Sequence, residues 1–191
     1  SWRATQWVMT FSTLIAAKKG LAHTINIRVP MDDETSMHIR MHANVDGPMA
    51  QSDWDVIEHL DLFPEIIPGT FTTKANYTND YLIDREDQRL RSFTGIKSIP
   101  VQDYAVTQSQ GPTWIADRSK ERLTTSDKII VEVRRRILAA SKALMDGNEP
   151  PEATNGAEAN VRSIELTLPE DVDPVEAVRE ECRAAASGED M

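Results

Sequence analysis

Two short runs of strict alternation constrain this chain more than any other feature. From His23 to Val29, the residues Ile25, Ile27 and Val29 fall on one side and Thr24, Asn26 and Arg28 on the other. Met37 to His42 alternates again, and the polar stretch Pro30-Met31-Asp32-Asp33-Glu34-Thr35 lies between the two. A period of two marks a strand with one face toward a core, and two such runs joined by a polar turn form an antiparallel hairpin. Residues 5–17 are rich in β-branched and aromatic types and predict one further strand, followed by a turn at Lys18-Lys19-Gly20. On that strand Trp7, Met9 and Phe11 share one face. They either line an apolar pocket or fill the core.

Beyond the hairpin the pattern changes. Residues 44–80 are dominated by turn chemistry (Gly47-Pro48, Pro64, Pro68-Gly69, Asn76 to Asp80), with a short helix near Asp53–Leu60. Residues 81–91 are compatible with a helix, and a helical turn or two follows Pro100 and ends at Gly111, where Pro112 bars continuation. The best helix begins after Thr125-Ser126, places Ile130, Val133, Ile137, Ala140 and Leu144 on one stripe, and stops at Gly147. Residues 148–161 read as a linker. Ser163 to Leu168 suits a short strand and Pro174 to Ala186 a short amphipathic helix. Strands, then a long irregular region, then helices is the α+β order rather than alternating parallel units.

Charge and composition exclude several functions. Residues 149–191 hold 12 carboxylates against 3 arginines, while residues 1–148 hold 19 acids against 18 bases. A balanced body with an acidic tail does not suit nucleic acid, whose binding needs a basic patch. No run of about 18 apolar residues marks a membrane helix. The single cysteine, Cys182, excludes a disulfide framework and any metal or iron–sulfur site needing several thiolates from this chain. The chain opens Ser1-Trp2-Arg3, without an initiator Met or signal peptide, and apolar alternation starts almost at once. The expectation is an N-terminally truncated fold and a cytoplasmic protein.

Few side chains suggest chemistry by themselves. His38 and His42 have the spacing of a helical metal pair, but on a strand they lie about 13 Å apart with Arg40 between them. The local reading is therefore a polar sheet face. His23 and His59 stand alone, Asp32-Asp33-Glu34 reads as a solvated turn, and Cys182 has no neighbouring His. Arg3, Arg28 and Arg40 are candidates for holding an anion, each better read as a solvated surface group. Asp103 sits where a helix starts, and its local reading is an N-cap or first-turn acid.

Taken in order, the motifs reach a family. They are Trp2-Arg3-Ala4-Thr5-Gln6-Trp7, Val29-Pro30-Met31-Asp32-Asp33-Glu34, Tyr81-Leu82-Ile83-Asp84-Arg85, Ser92-Phe93-Thr94-Gly95-Ile96, Gln102-Asp103 and Gln108-Ser109-Gln110-Gly111-Pro112. Asp117-Arg118-Ser119, Thr125-Ser126-Asp127 and Arg134-Arg135-Arg136 complete the series. Over residues 1–146 this resembles the C-terminal half of the oxygenase α subunit of Rieske non-haem iron oxygenases, in the phthalate 4,5-dioxygenase-like branch.

The resemblance implies a helix-grip (START/Bet v 1-like) fold, a curved antiparallel sheet packed on a long C-terminal helix, here residues 126–146. Residues 1–147 would be the C-terminal part of the catalytic domain and 148–191 an acidic linker and tail. It implies a mononuclear Fe(II) held by two His and one carboxylate, with Asp103 in the carboxylate position. The two His ligands belong to an upstream Asp-x-x-His-x4-His segment that this sequence lacks. The [2Fe–2S] Rieske cluster likewise belongs to the missing N-terminal part. The implied partners are a reductase or ferredoxin electron donor, O2 and an aromatic substrate, phthalate-like acids favoured, in a homotrimer. The fragment alone would be inactive. The competing readings are a non-catalytic helix-grip module that binds an apolar ligand, and a remnant that has lost its front half.

Overall fold

The computed structural model describes residues 1–16, 21–44, 47–111, 118–154 and 161–187. The expected Lys18–Gly20 turn, Pro112, Asp117 and positions 155–160 of the expected linker lie outside the described residues. The chain divides into two compact units, residues 1–48 with 119–191, and residues 49–118. It is an α+β chain with antiparallel sheets.

In the first unit the hairpin forms as expected. β4 (His23–Pro30) and β5 (Ser36–Ala43) pair antiparallel, with Ile25 opposite Met41, Ile27 opposite Ile39 and Val29 opposite Met37. The turn between them is closed by Asp32, whose Oδ1 accepts from the Glu34 and Thr35 amides at 2.9 and 2.6 Å. Its carboxylate is thus spent on an Asx turn.

Residues 5–17 do not form one strand. The chain reverses at Met9–Phe11, leaving β2 (Gln6–Val8) antiparallel to β3 (Ser12–Ile15), and β3 then pairs with β4. This corrects the placement of Trp7, Met9 and Phe11 on one strand face, because Met9 and Phe11 lie in the turn and only Trp7 lies on a strand, opposite Thr13. The run is uniformly β-prone and contains no Gly, Pro, Asn or Asp, so propensity detects strand and cannot detect the reversal. The sheet order is β2-β3-β4-β5.

β1 (Trp2–Ala4) pairs antiparallel with β6 (Ile164–Leu166), so the tail does contribute a strand. Its attachment is specific. Ser163 is 1% exposed, its hydroxyl donates to the Leu14 carbonyl, and it accepts from the Gln6 amide at 3.0 Å. α6 (Pro174–Ser187) follows and touches both β1 and β6.

The long helix α4 (Lys128–Met145) is preceded by a 3-10 turn, Thr125–Asp127. Thr124 is the N-cap of that turn, and the Asp127 carboxylate accepts from the Thr124 amide at 2.7 Å. Arg134 and Glu121 form a two-pronged ion pair at 2.6 and 2.7 Å that ties the helix to the approaching chain. The helix ends as its sequence demands. Gly147 has φ +80, and the Asn148 and Gly147 amides donate back to Ala143 and Leu144 at 2.8 and 3.0 Å. Val133, Ile137 and Ala140 of the expected stripe are half-buried, whereas Ile130 and Leu144 are exposed. A four-residue helical turn, α5 (Pro151–Thr154), follows.

The second unit holds α1 (Gln51–His59), a 3-10 turn (Tyr77–Leu82), α2 (Arg85–Leu90) and α3 (Ile99–Gln108). The expected helix over 81–91 is shortened, because Asp80, Tyr81 and Leu82 take φ of 52, 53 and 52°. Such left-handed values cost L-residues about 1–3 kcal/mol each, and no glycine announces them. The core of the unit is Tyr81, Ile96 and Val101, with Ala75, Ile83, Tyr104 and Ala105 packed on it.

Candidate functional site

α3 starts where Ser98 and Pro100 place it. The Ser98 hydroxyl caps the Val101 amide, and proline at the second helical position needs no donor. Asp103 is therefore not the cap. It sits in the second turn, and the local reading of Asp103 as an N-cap or first-turn acid does not hold. The helix has two distinct faces. Val101, Tyr104, Ala105 and Gln108 follow an i, i+3, i+4, i+7 pattern toward the Tyr81 core. Ile99, Asp103 and Val106 lie on the other side, with Ile99 39% and Val106 66% exposed.

Both ends of α3 are tied down. At the start, the Ser98 hydroxyl donates to the Asp61 carbonyl at 2.8 Å, the Ile99 amide to Leu60 at 3.1 Å, and the Gln102 side chain to Ile96 at 2.7 Å. At the end, the Tyr81 hydroxyl donates to Gln108 Oε1 at 2.7 Å. Burial, and then Tyr77 and Asp80, push the Tyr81 phenol up, so it stays protonated and can donate. Between these ties, nothing among the described residues bonds to the Asp103 carboxylate; only its carbonyl is used, accepting from the Thr107 hydroxyl at 2.8 Å. An exposed carboxylate on a doubly anchored helix fits the role of one arm of a metal site. No group of three His, Cys, Asp or Glu among the described residues could hold a metal ion.

The histidines of β5 are occupied elsewhere. Asn26, 2% exposed, accepts at Oδ1 from His38 Nε2 at 3.0 Å and from Arg40 Nε at 2.9 Å. His42 Nδ1 lies 3.1 Å from the Thr24 hydroxyl. Burial, then Arg28 and Arg40, bring His38 down to about 4, and burial and Arg40 lower His42 as well. Both imidazoles are neutral near pH 7. The polar side of this sheet thus buries its Asn, while Ile39 and Met41 on the apolar side remain 44% and 43% exposed. The satisfied Asn26 makes that burial affordable. Trp7 and Met9 are half-buried and Phe11 is 40% exposed.

The remaining motifs are structural. Asp84 caps α2 by accepting from the Glu86 and Asp87 amides, and its own amide donates to the Gly95 carbonyl at 2.9 Å. Ser92 donates to Asp87 at 2.5 Å and accepts from the Gly95 amide at 2.9 Å. Sequence reading missed the Tyr81–Gln108 tie. It also missed Ser98 as the helix cap; what was legible was a helical turn or two after Pro100 that ends at Gly111.

The family described as "LigXa C-terminal domain like" matches residues 2–182. The chain belongs to this family. The phthalate 4,5-dioxygenase oxygenase subunit of Pseudomonas putida is 34% identical over 146 residues, which cover 76% of this chain and 32% of that protein. The 3-chlorobenzoate-3,4-dioxygenase oxygenase subunit of Comamonas testosteroni is 44% identical over 85 residues, 44% of this chain and 19% of that protein. The resemblance to the C-terminal catalytic part of a Rieske oxygenase α subunit is borne out. The chain spans about a third or less of the length of these curated relatives. The LigXa-type match includes β6 and most of α6. Among the described residues, no helix is long and apolar enough to cross a membrane.

Proposed function

We propose that this chain is the C-terminal part of the catalytic domain of a Rieske-type aromatic oxygenase, with Asp103 as the carboxylate ligand of a mononuclear non-haem Fe(II). The observation that carries the reading is the exposed, unbonded Asp103 carboxylate on a helix held at both ends. The names of the two relatives favour an aromatic acid of the phthalate or chlorobenzoate kind as substrate. Residues 1–147 belong to a helix-grip catalytic domain in this reading, and 148–191 are its acidic linker and tail. When bound, the iron supplies dioxygen activation. Asp103 contributes negative charge and one fixed coordination position. The two histidine ligands and the [2Fe–2S] cluster come from residues outside this sequence. Trp7, with Met9 and Phe11 in the adjoining turn, lines part of the apolar substrate pocket. A reductase or ferredoxin supplies electrons, and the working assembly is a cytoplasmic homotrimer. The 191-residue chain alone is inactive.

The test is Asp103→Ala in the full-length subunit. Mononuclear iron and hydroxylation of phthalate should both be lost, while the visible absorption of the [2Fe–2S] cluster persists. Retention of the mononuclear iron would remove Asp103 as its ligand; absence of mononuclear iron from the wild-type subunit would instead favour a module that binds an apolar ligand without metal.

A further inference from the structure

We propose that Tyr81 is a positioning residue whose bond to Gln108 sets α3 and thereby the place of the Asp103 carboxylate. This rests on Asp103 being a metal ligand. Three observations support it. First, the two ties of α3 bracket Asp103: Ser98, Ile99 and Gln102 hold the helix before it, and Tyr81 holds Gln108 after it. Second, Tyr81 acts on that helix twice, by packing against Val101 in the core and by its hydroxyl bond to Gln108. Third, Tyr81 stands at the centre of three successive left-handed residues, Asp80 to Leu82. Backbone so unfavourable for residues with a Cβ persists where the surroundings over-determine it, and such strain concentrates at functional sites.

Geometry says why one hydrogen bond matters here. A helical carboxylate reaches about 6 Å from the helix axis, so a rotation of about 10° moves its oxygens about 1 Å. A metal site tolerates about 0.5 Å. The start of α3 is held by the bonds of Ser98, Ile99 and Gln102, all of them before Asp103. The hydroxyl bond to Gln108, five residues beyond Asp103, holds the helix on the other side of the carboxylate and so limits its rotation there.

The test uses the full-length subunit, stripped of mononuclear iron and titrated with Co(II). The readouts are the dissociation constant and the visible ligand-field spectrum, with melting temperature alongside. Tyr81→Phe and Gln108→Leu should each weaken Co(II) binding about tenfold and alter its spectrum. The double variant should be no worse than either single one. Gln108→Glu keeps an acceptor and should stay near wild type. Gln108 is exposed, so its variants do not threaten folding. If Asp103→Ala abolishes Co(II) binding while Tyr81→Phe keeps the wild-type affinity and spectrum, Tyr81 is an ordinary core residue and the inference fails, even if melting falls. If Asp103→Ala leaves Co(II) binding intact, the ligand assignment itself fails and takes this inference with it.

Discussion

Gly95 has almost no room. A Cβ there would stand 2.4 Å from the Asp84 carbonyl, and its φ is +68. Neither the clash nor the angle can relax cheaply, because Gly95 is bonded to both Asp84 and Ser92. Gly95→Ala should therefore destabilise by about 2–4 kcal/mol, read as a lower urea midpoint at unchanged slope. His38 makes a different prediction, one of pH. Its proton affinity in the folded chain lies near 4, against 6.5 when unfolded. Between those values the unfolded chain takes a proton that the folded one refuses. Stability is thus complete above about 6.5 and declines as pH falls toward 4. His42 acts in the same direction. The melting temperature should fall between pH 7 and pH 5, and His38→Gln should reduce that fall. An unchanged fall would place the sensitivity elsewhere.

At the scale of elements, legibility followed local periodicity. β4, β5 and α4 were readable because alternation, the 3.6-residue stripe and Gly147 each report a backbone state directly. The reversal at Met9–Phe11 was not, since its residues are as strand-prone as their neighbours. Nor was the left-handed turn at Tyr81, which uses Asp, Tyr and Leu where glycine would be expected. Asp103 was reached only through the resemblance; its local chemistry suggested a cap, and Ser98 fills that role. The tail offered two readings, and Ser163 explains the outcome. Its hydroxyl satisfies two backbone groups of the β2–β3 hairpin, and the β1–β6 pairing begins one residue later. Ser163→Ala leaves those groups unpaired in a dry position, a cost of about 1–3 kcal/mol. Detachment is readable at Cys182, whose sulfur accepts from Gln6 Nε2 at 3.4 Å and whose thiol is pushed up by burial. Cys182 should react with a thiol reagent several-fold faster in Ser163→Ala, and an equal rate would show that the tail is held by other contacts.

At the scale of the whole molecule, the balance between core and surface carries the argument. Among the described residues, the buried apolar side chains are Ala16, Ile57, Tyr81, Ile96 and Val101. Against them stand Phe93 at 96%, Met145 at 87% and Phe71 at 83% exposure, in a chain that spans about a third of its relatives. Surface of this kind ordinarily marks contact with other protein. The metal site proposed above is partial in the same way, since it draws on Asp103 and no set of three donors exists among the described residues. The two deficits have one expected consequence for the isolated 191-residue chain. Incubated with Fe(II) and desalted, it should retain far less than one iron per chain, because a single exposed carboxylate competes poorly with water for the cation. It should also bind an apolar fluorescent dye more strongly per mole than the full-length subunit does. Stoichiometric iron together with hydroxylation of phthalate by the chain alone would contradict the first expectation and the proposed division of the site. Equal dye binding by the two proteins would mean that these side chains stay open in the complete subunit, and partners outside the polypeptide would then have to account for them.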